Sequence, residues 1–434
     1  MIESIYEIFK EFSLISTDTR NISKNSIFFA LKGSNFNGNE FAESAIKSGA
    51  KYAIIDEIEY KKDDRYILVE DVLKTLQELS RHHRRILNIP IIAITGSNGK
   101  TTTKELVFSV LKKKYNVYAT QGNLNNHIGV PLTLLSIKND IEIGIVEMGA
   151  NHQKEIELLC QIAEPNFGLI TNIGKAHLEG FGGVAGIIKG KGELFSYLKI
   201  NNGVAFINSD SAVLREMSIA LPKIITYGLE NTHTNKGKLI SAENKVEFAY
   251  MTENQSEVII QSNLIGDYNL ANLLAACSIG NYFGVLLKDI KSAIETYIPT
   301  NNRSQIVKLE NKTLILDAYN ANPSSIEAAV QNFSLMTLPN KILILGDMFE
   351  LGSDSKTEHQ KIINLIESKN FTDVYLVGKL FFETECNYKK FLTTEDLIMG
   401  LEKSNLEESS ILIKGSRGMK LEKVAEYLQT KKGA

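Results

Sequence analysis

Between residues 90 and 230 the sequence keeps a rhythm that leaves few folds open. Short apolar runs of β character, "IIAIT", "IGIVEMG", "FGLITNI", "GVAFINS" and "IITYG", are separated by amphipathic segments of helical spacing. That alternation specifies a parallel sheet with helices on both faces. Residues 237–265 break it with "LISAE", "KVEFAYM" and "EVIIQSNLI", which read as an antiparallel addition to the same domain. Upstream, "IFFAL", "YAIID" and "YILVE" with helical stretches near 40–48 and 71–87 form a smaller α/β unit, and Pro90 closes its last helix. Downstream come helices at 267–283 and 288–297, a hinge in "IPTNNRSQ", and a third α/β unit with strands "TLILDA", "KILILG", "DVYLVG" and "ILIKGS". The expected class is α/β in three domains, 1–88, 89–300 and 301–434, which suits 434 residues at roughly 150 per domain.

Charge and cysteine usage exclude several classes. A formal charge of −3 and a pI near 6.2 argue against a nucleic-acid partner, which normally requires a clustered basic excess. The one basic knot, "RHHRR" at 81–85, reads as the solvated face of a helix. Cys160, Cys277 and Cys386 are too scattered for a metal or redox pair, so they read as small buried hydrophobes in a reducing compartment. No apolar run approaches about 18 residues and the N-terminal stretch carries acids, so a soluble cytoplasmic protein without a membrane span is expected.

Chemistry concentrates where strands end. "IIAITGSNGKTTTKELV", residues 91–107, is a strand, a glycine-containing turn and a helix start, yet the usual phosphate loop has a glycine where this chain has Ile94. Gly96 and Gly99 still let the backbone of Gly96, Ser97, Asn98, Gly99, Lys100 and Thr101 turn its amides inward. Lys100 adds a mobile cation, and Thr101 or Thr102 a hydroxyl for magnesium. Glu147 ends the next buried strand and His177 follows the one after, on the edge where open α/β sheets bind ligands. "GIIKGKGELFSYL" offers lysines and a glutamate on a helix that composition alone would leave solvated. Asn269 and Asn272 in "GDYNLANLLAA" suit either an adenine edge or a helix cap. In the third unit Asp317, Asn320, Asp347, Lys414 and Arg417 lie at strand ends, describing a second edge able to close over the first.

Taken together these segments resemble the Mur ligase family over nearly the whole chain. "TGSNGKTTTKE" is similar to that family's shortened phosphate loop, while "DAYNANPSS", "GDMFELG" and "KGSRGM" resemble its branch that adds D-alanyl-D-alanine. "STDTRNISKNSIFFALKGSNFNGNEF" is similar to the family's uridine-nucleotide domain, with "NGN" at 37–39 where Asp-Gly-His is usual. The resemblance implies an N-terminal domain for UDP-N-acetylmuramoyl-tripeptide, a central ATP domain and a Rossmann-like C-terminal domain. The implied reaction moves the γ-phosphoryl of ATP to the tripeptide carboxylate, and the amine of D-alanyl-D-alanine then attacks the acyl phosphate. It further implies magnesium held by Thr101 and Glu147, a second ion at His177, and a carbamylated Lys191. Asn269 would meet adenine, Arg303 the γ-phosphate, and Asp317 the nucleotide. Thr19 and Arg20 would meet the uridine diphosphate, and Asn320, Ser416 and Arg417 would lie on the substrate side. A monomer is expected. The competing readings are an amino-acid-adding or folate-polyglutamate ligase with the same engine, a phosphate-loop ATPase or kinase, and an inactive binding module.

Overall fold

The computed structural model describes residues 1–229, 235–252, 256–300, 302–402, 406 and 408–430. Three separate principal sheets organise the chain. The first has four parallel strands, Ile15–Ser16, Ile27–Phe29, Tyr52–Ile55 and Tyr66–Leu68, in chain order across the sheet. The second has nine strands. Third from one edge, Ile91–Thr95 lies between Ile143–Glu147 and Phe167–Ile170, parallel to both. Successive strands are added to one side of Ile91–Thr95 and then to the other, so the loop after it opens into the crevice formed at that reversal.

The antiparallel addition falls where the broken rhythm placed it. Asn235–Ser241, Glu247–Met251 and Glu257–Gln261 pair antiparallel and extend the same nine-stranded sheet, joined through Ile224–Gly228. The third sheet runs Gln305–Lys308, Lys312–Leu316, Ser409–Lys414, Lys341–Gly346, Asp373–Val377 and Lys389–Phe391 across its width, and only the first of these is antiparallel to its neighbour.

The strands that sequence reading overlooked are short or lie at edges: Ile15–Ser16, Lys32–Gly33, Phe36–Asn37, Val117–Ala119, Gln305–Lys308 and Lys389–Phe391. In contrast, Ile91–Thr95 and Ile143–Glu147 are buried at every position, as strands covered by helices on both faces must be. One cluster of buried apolar residues continues from Val146 and Leu194 in the central unit to Phe333 and Leu343 in the third. Asn301, within the hinge segment, lies outside the described residues.

The basic knot corrects the sequence expectation. On the helix Val72–Leu87, His83 and Arg84 are buried and do not face solvent. Arg84 donates to the carbonyls of Ala163 and Glu164 and to Asn166, so its guanidinium satisfies a helix C-terminus of the neighbouring unit. His83 sits between the Tyr6 hydroxyl at 3.1 Å and the Ile137 carbonyl at 2.8 Å. Cys160 and Cys277 are buried thiols, as expected of small hydrophobes, whereas Cys386 is only partly buried.

Candidate functional site

The loop after Ile91–Thr95 is built for close approach. Gly99 has φ 76° immediately before the helix Lys100–Leu111, a conformation that favours glycine. At Gly96, φ is 144°, and a Cβ there would lie 2.0 Å from Thr171 Oγ1. The strand on one side clamps the turn: the Thr171 hydroxyl donates to the Asn98 carbonyl at 2.6 Å, the Ser97 amide donates to the Asn172 carbonyl, and the Asn98 amide donates to the Asn172 side chain. Ser97 and Asn98 are thereby held in place, and the free N-terminus of the helix points into the crevice.

Lys100 folds back over this turn, donating to the Gly96 carbonyl at 2.7 Å. Burial draws its pKa below the usual lysine range, Glu147 opposes that shift, and Arg303 adds to it, so all three charges share one space. Glu147 is itself 2% exposed. Its two oxygens accept from neutral donors, Thr101 Oγ1 and Asn125 Nδ2, each at 2.8 Å. A buried carboxylate beside a hydroxyl, facing a phosphate loop, has the oxygen donors that magnesium requires. Thr102 is buried on the next helical position.

These residues line a cavity of about 650 Å3, the size of a site for a nucleotide-like ligand. Its central-unit wall also carries His177, Tyr268, Asn269 and Asn272, and its opposite wall comes from the third unit and the segment leading to it: Arg303, Asp317, Tyr319, Asn320 and Lys414. The two walls touch. Asn322 Nδ2 donates to Asn98 Oδ1 at 2.7 Å, the Lys175 amide donates to Ser324 Oγ at 2.8 Å, and Lys175 Nζ pairs with Glu358 at 2.9 Å.

Asn269 occupies the N-cap position of Leu270–Tyr282 but makes no side-chain cap bond. Its Nδ2 donates to the Ile265 carbonyl and its Oδ1 accepts from Asn272, while Asn272 in turn accepts from Thr103 on the phosphate-loop helix. Asp317 accepts from the Ser304 amide and pairs with Lys414. Asn320 Oδ1 accepts from the Ala321 amide. The His177 imidazole lies against the Glu350 carboxylate of the third unit. Among the described residues no three His, Cys, Asp or Glu side chains are grouped as a metal site, so His177 and Glu147 share the cavity without forming a cluster.

Other expected residues stand elsewhere. Lys191 is absent from the cavity lining: it is 1% exposed, its Nζ donates to the Ala150 carbonyl at 3.2 Å and stands 5.1 Å from the centre of the Phe181 ring. Burial, with the Lys100 charge second, pushes its pKa well down. Lys189, two residues earlier on the same helix, is exposed. Thr19 and Arg20 lie on a short 3-10 turn outside the cavity lining, where Arg20 is held by Asp18. Ser416 is buried, accepting from the Phe349 amide, and Arg417 reaches the Tyr319 hydroxyl from outside the lining. Asp347, singled out as a strand-end acid, accepts from the amides of Leu380 and Phe381 at the start of a short helix and does not enter the cavity. Sequence reading missed Asn125, Tyr268, Tyr319 and Asn322. For Asn125 the signal was a polar run, "NLNNH", amid apolar helix and strand.

In the first unit the "NGN" segment forms a closed network. Asn39, fully buried, donates to Asn37 and Asp56 and accepts from the Asp56 amide. Asp56 and Glu57 also hold Lys32. Asparagine thus satisfies this position without a ring.

Comparison with known proteins gives three family matches in sequence order: "Mur ligase family, catalytic domain" over residues 11–84, "Mur ligase middle domain" over 94–280, and "Mur ligase, glutamate ligase domain" over 302–417. The chain is 35% identical over 427 residues to the UDP-N-acetylmuramoyl-tripeptide–D-alanyl-D-alanine ligase of Bacillus subtilis (strain 168), covering 95% of this chain and 92% of the relative. It is 34% identical to the ligase of the same name from Escherichia coli (strain K12), with 96% and 93% covered. Among solved structures it matches a MurF from Acinetobacter baumannii with TM-score 0.86, 29% identity, and 97% and 94% of the two chains covered. A MurF ligase from Thermotoga maritima in complex with ADP matches with TM-score 0.85, 25% identity, and 96% and 97% covered.

Proposed function

The chain belongs to the Mur ligase family, and from that premise we propose that it joins D-alanyl-D-alanine to UDP-N-acetylmuramoyl-tripeptide with ATP as phosphoryl donor, a step in peptidoglycan precursor synthesis. The observation that carries the mechanism is the two-walled cavity. The phosphate loop, Lys100 and Glu147 form one side, and the strand-end residues of the third unit form the other.

The loop amides and Lys100 bind the β and γ phosphates and stabilise the charge that spreads over the transferring group. An oxygen of the tripeptide carboxylate bonds to the γ-phosphorus as the bond to the ADP oxygen breaks. The dipeptide amine then attacks the acyl carbon, loses a proton, and phosphate leaves. Both steps require water to be kept from a reactive acyl phosphate, which a cavity closed from two domains provides. Thr101 and Glu147 would hold magnesium, whose charge neutralises the phosphates when bound. His177 would serve a second ion after exchanging its contact with Glu350. Asn269 serves the adenine edge, Arg303 the γ-phosphate and Asp317 the nucleotide. Thr19 and Arg20 serve the uridine diphosphate from the first unit. Asn320, Ser416 and Arg417 serve the substrate side, Ser416 by fixing the "KGSRGM" loop from within.

Lys191 works as a carbamate. Burial disfavours the charged form of its amine, the neutral amine adds to carbon dioxide with loss of a proton, and the carbamate would offer two oxygen acceptors of the kind magnesium takes. No helix among the described residues is long and apolar enough to cross a membrane. We place the enzyme in the cytoplasm, as a monomer. The test is stoichiometric: with ATP, magnesium, UDP-tripeptide and D-alanyl-D-alanine, one ADP and one phosphate appear for each amide product detected by mass spectrometry. Phosphate release without amide would instead mark an ATPase.

A further inference from the structure

Tyr319, in the cavity wall, contacts two arginines that the reaction uses on different sides. The Arg303 guanidinium carbon lies 3.6 Å from the centre of the Tyr319 ring, a stacked cation–π contact. The Arg417 guanidinium carbon lies 5.0 Å from the same centre, and Arg417 Nη1 donates to the Tyr319 hydroxyl at 3.0 Å. Arg303 is fixed at its backbone as well: Asn302 and Ser304 on either side have φ of 56° and 46°, and the Ser304 amide donates to Asp317.

We propose that Tyr319 is a positioning residue which couples the phosphate side of the cavity to the acceptor side, its ring setting the plane of Arg303 and its hydroxyl anchoring Arg417. An arginine is a long side chain whose value to a phosphate depends on presenting its N–H edge in one plane. Stacking on the ring immobilises the face of the guanidinium and leaves that edge free toward the cavity that Arg303 and Lys100 share. The hydroxyl acts on a different group. Arg417 is exposed, and the contact with Tyr319 holds it over the third-unit wall beside Asn320. One side chain therefore carries two separable tasks: the ring for phosphoryl transfer and the oxygen for the acceptor.

That division rests on the function proposed above and can be tested by two variants. Tyr319→Phe keeps the stack and loses the anchor, so kcat should stay within about twofold of wild type while KM for D-alanyl-D-alanine rises about fivefold. Tyr319→Leu loses both, so KM rises similarly and kcat falls about tenfold. A second readout needs no acceptor. The preference for a non-hydrolysable ATP analogue over ADP should fall several-fold in Tyr319→Leu and persist in Tyr319→Phe, both variants melting as wild type does. Equal loss of that preference in the two variants, or an unchanged dipeptide KM in Tyr319→Phe, overturns the proposal. If wild type ignores the dipeptide while the nucleotide preference still divides the variants, the acceptor assignment fails and the Arg303 role stands.

Discussion

Lys100, Glu147 and Lys191 show how differently burial treats charge. Lys100 is half-buried and faces carbonyls and a carboxylate across the cavity, partners that the proposed mechanism has it exchange for phosphate oxygens. Its replacement by alanine should lower phosphate release by about 10²-fold or more with the circular dichroism spectrum unchanged. Activity within a few-fold of wild type would remove the loop from the mechanism. Lys191 has no such exchange open to it as an ammonium, because burial and the Lys100 charge both disfavour its proton. We expect Lys191→Ala to lose most activity and recover part of it with added short carboxylates, whereas Lys189→Ala, at an exposed position, loses little. Full activity of Lys191→Ala in carbon-dioxide-depleted buffer would falsify the carbamate. Composition left both lysines on a solvated helix face. What separates them is which face packs, and helical spacing alone could not reveal that when small residues, Gly190 and Gly192, flank Lys191.

At the scale of elements, legibility followed burial and length. Fully covered strands such as Ile91–Thr95 carry unbroken apolar runs and were plain, whereas Val117–Ala119 is three residues long and Lys389–Phe391 carries two lysines. The helix Val72–Leu87 was legible as a helix but not as an interface, since a buried arginine is recognisable only through the carbonyls it satisfies. The same helix yields a pH prediction. Burial lowers the His83 pKa and outweighs the Nε2–H bond to the Ile137 carbonyl, which opposes the shift, and Nδ1 accepts from Tyr6, so folding favours the neutral ring. The unfolded chain takes the proton more readily. Its contribution is therefore complete above about pH 6.5 and is lost as pH falls below it, by at most about 1.4 kcal/mol per pH unit for one proton. Urea midpoints at pH 7.5 and 5.5 should differ more for wild type than for His83→Gln. Equal differences would mean that His83 is protonated as easily folded as unfolded.

For the whole molecule, the α/β architecture was visible in the alternation of apolar runs with helical segments, and the family in the motifs that stand at strand ends. The contacts that join the walls were not, since Asn98 and Asn322 are 224 residues apart and neither is unusual in its own segment. Polar contacts of this kind lie beside the apolar cluster that the two units share, and the hinge segment between them is where closure would turn. Small-angle scattering should show a larger radius for the free protein than with a non-hydrolysable ATP analogue and UDP-tripeptide. An unchanged radius in a saturated sample would argue for a permanently docked third unit.

The acceptor is the central claim, and a panel measures it most directly. Purified protein with ATP, magnesium and UDP-N-acetylmuramoyl-tripeptide should release phosphate far faster with D-alanyl-D-alanine than with D-glutamate, L-lysine or diaminopimelate. Preference for one of those single amino acids would leave the ligase engine proposed for Lys100 and Glu147 standing and contradict the dipeptide assignment.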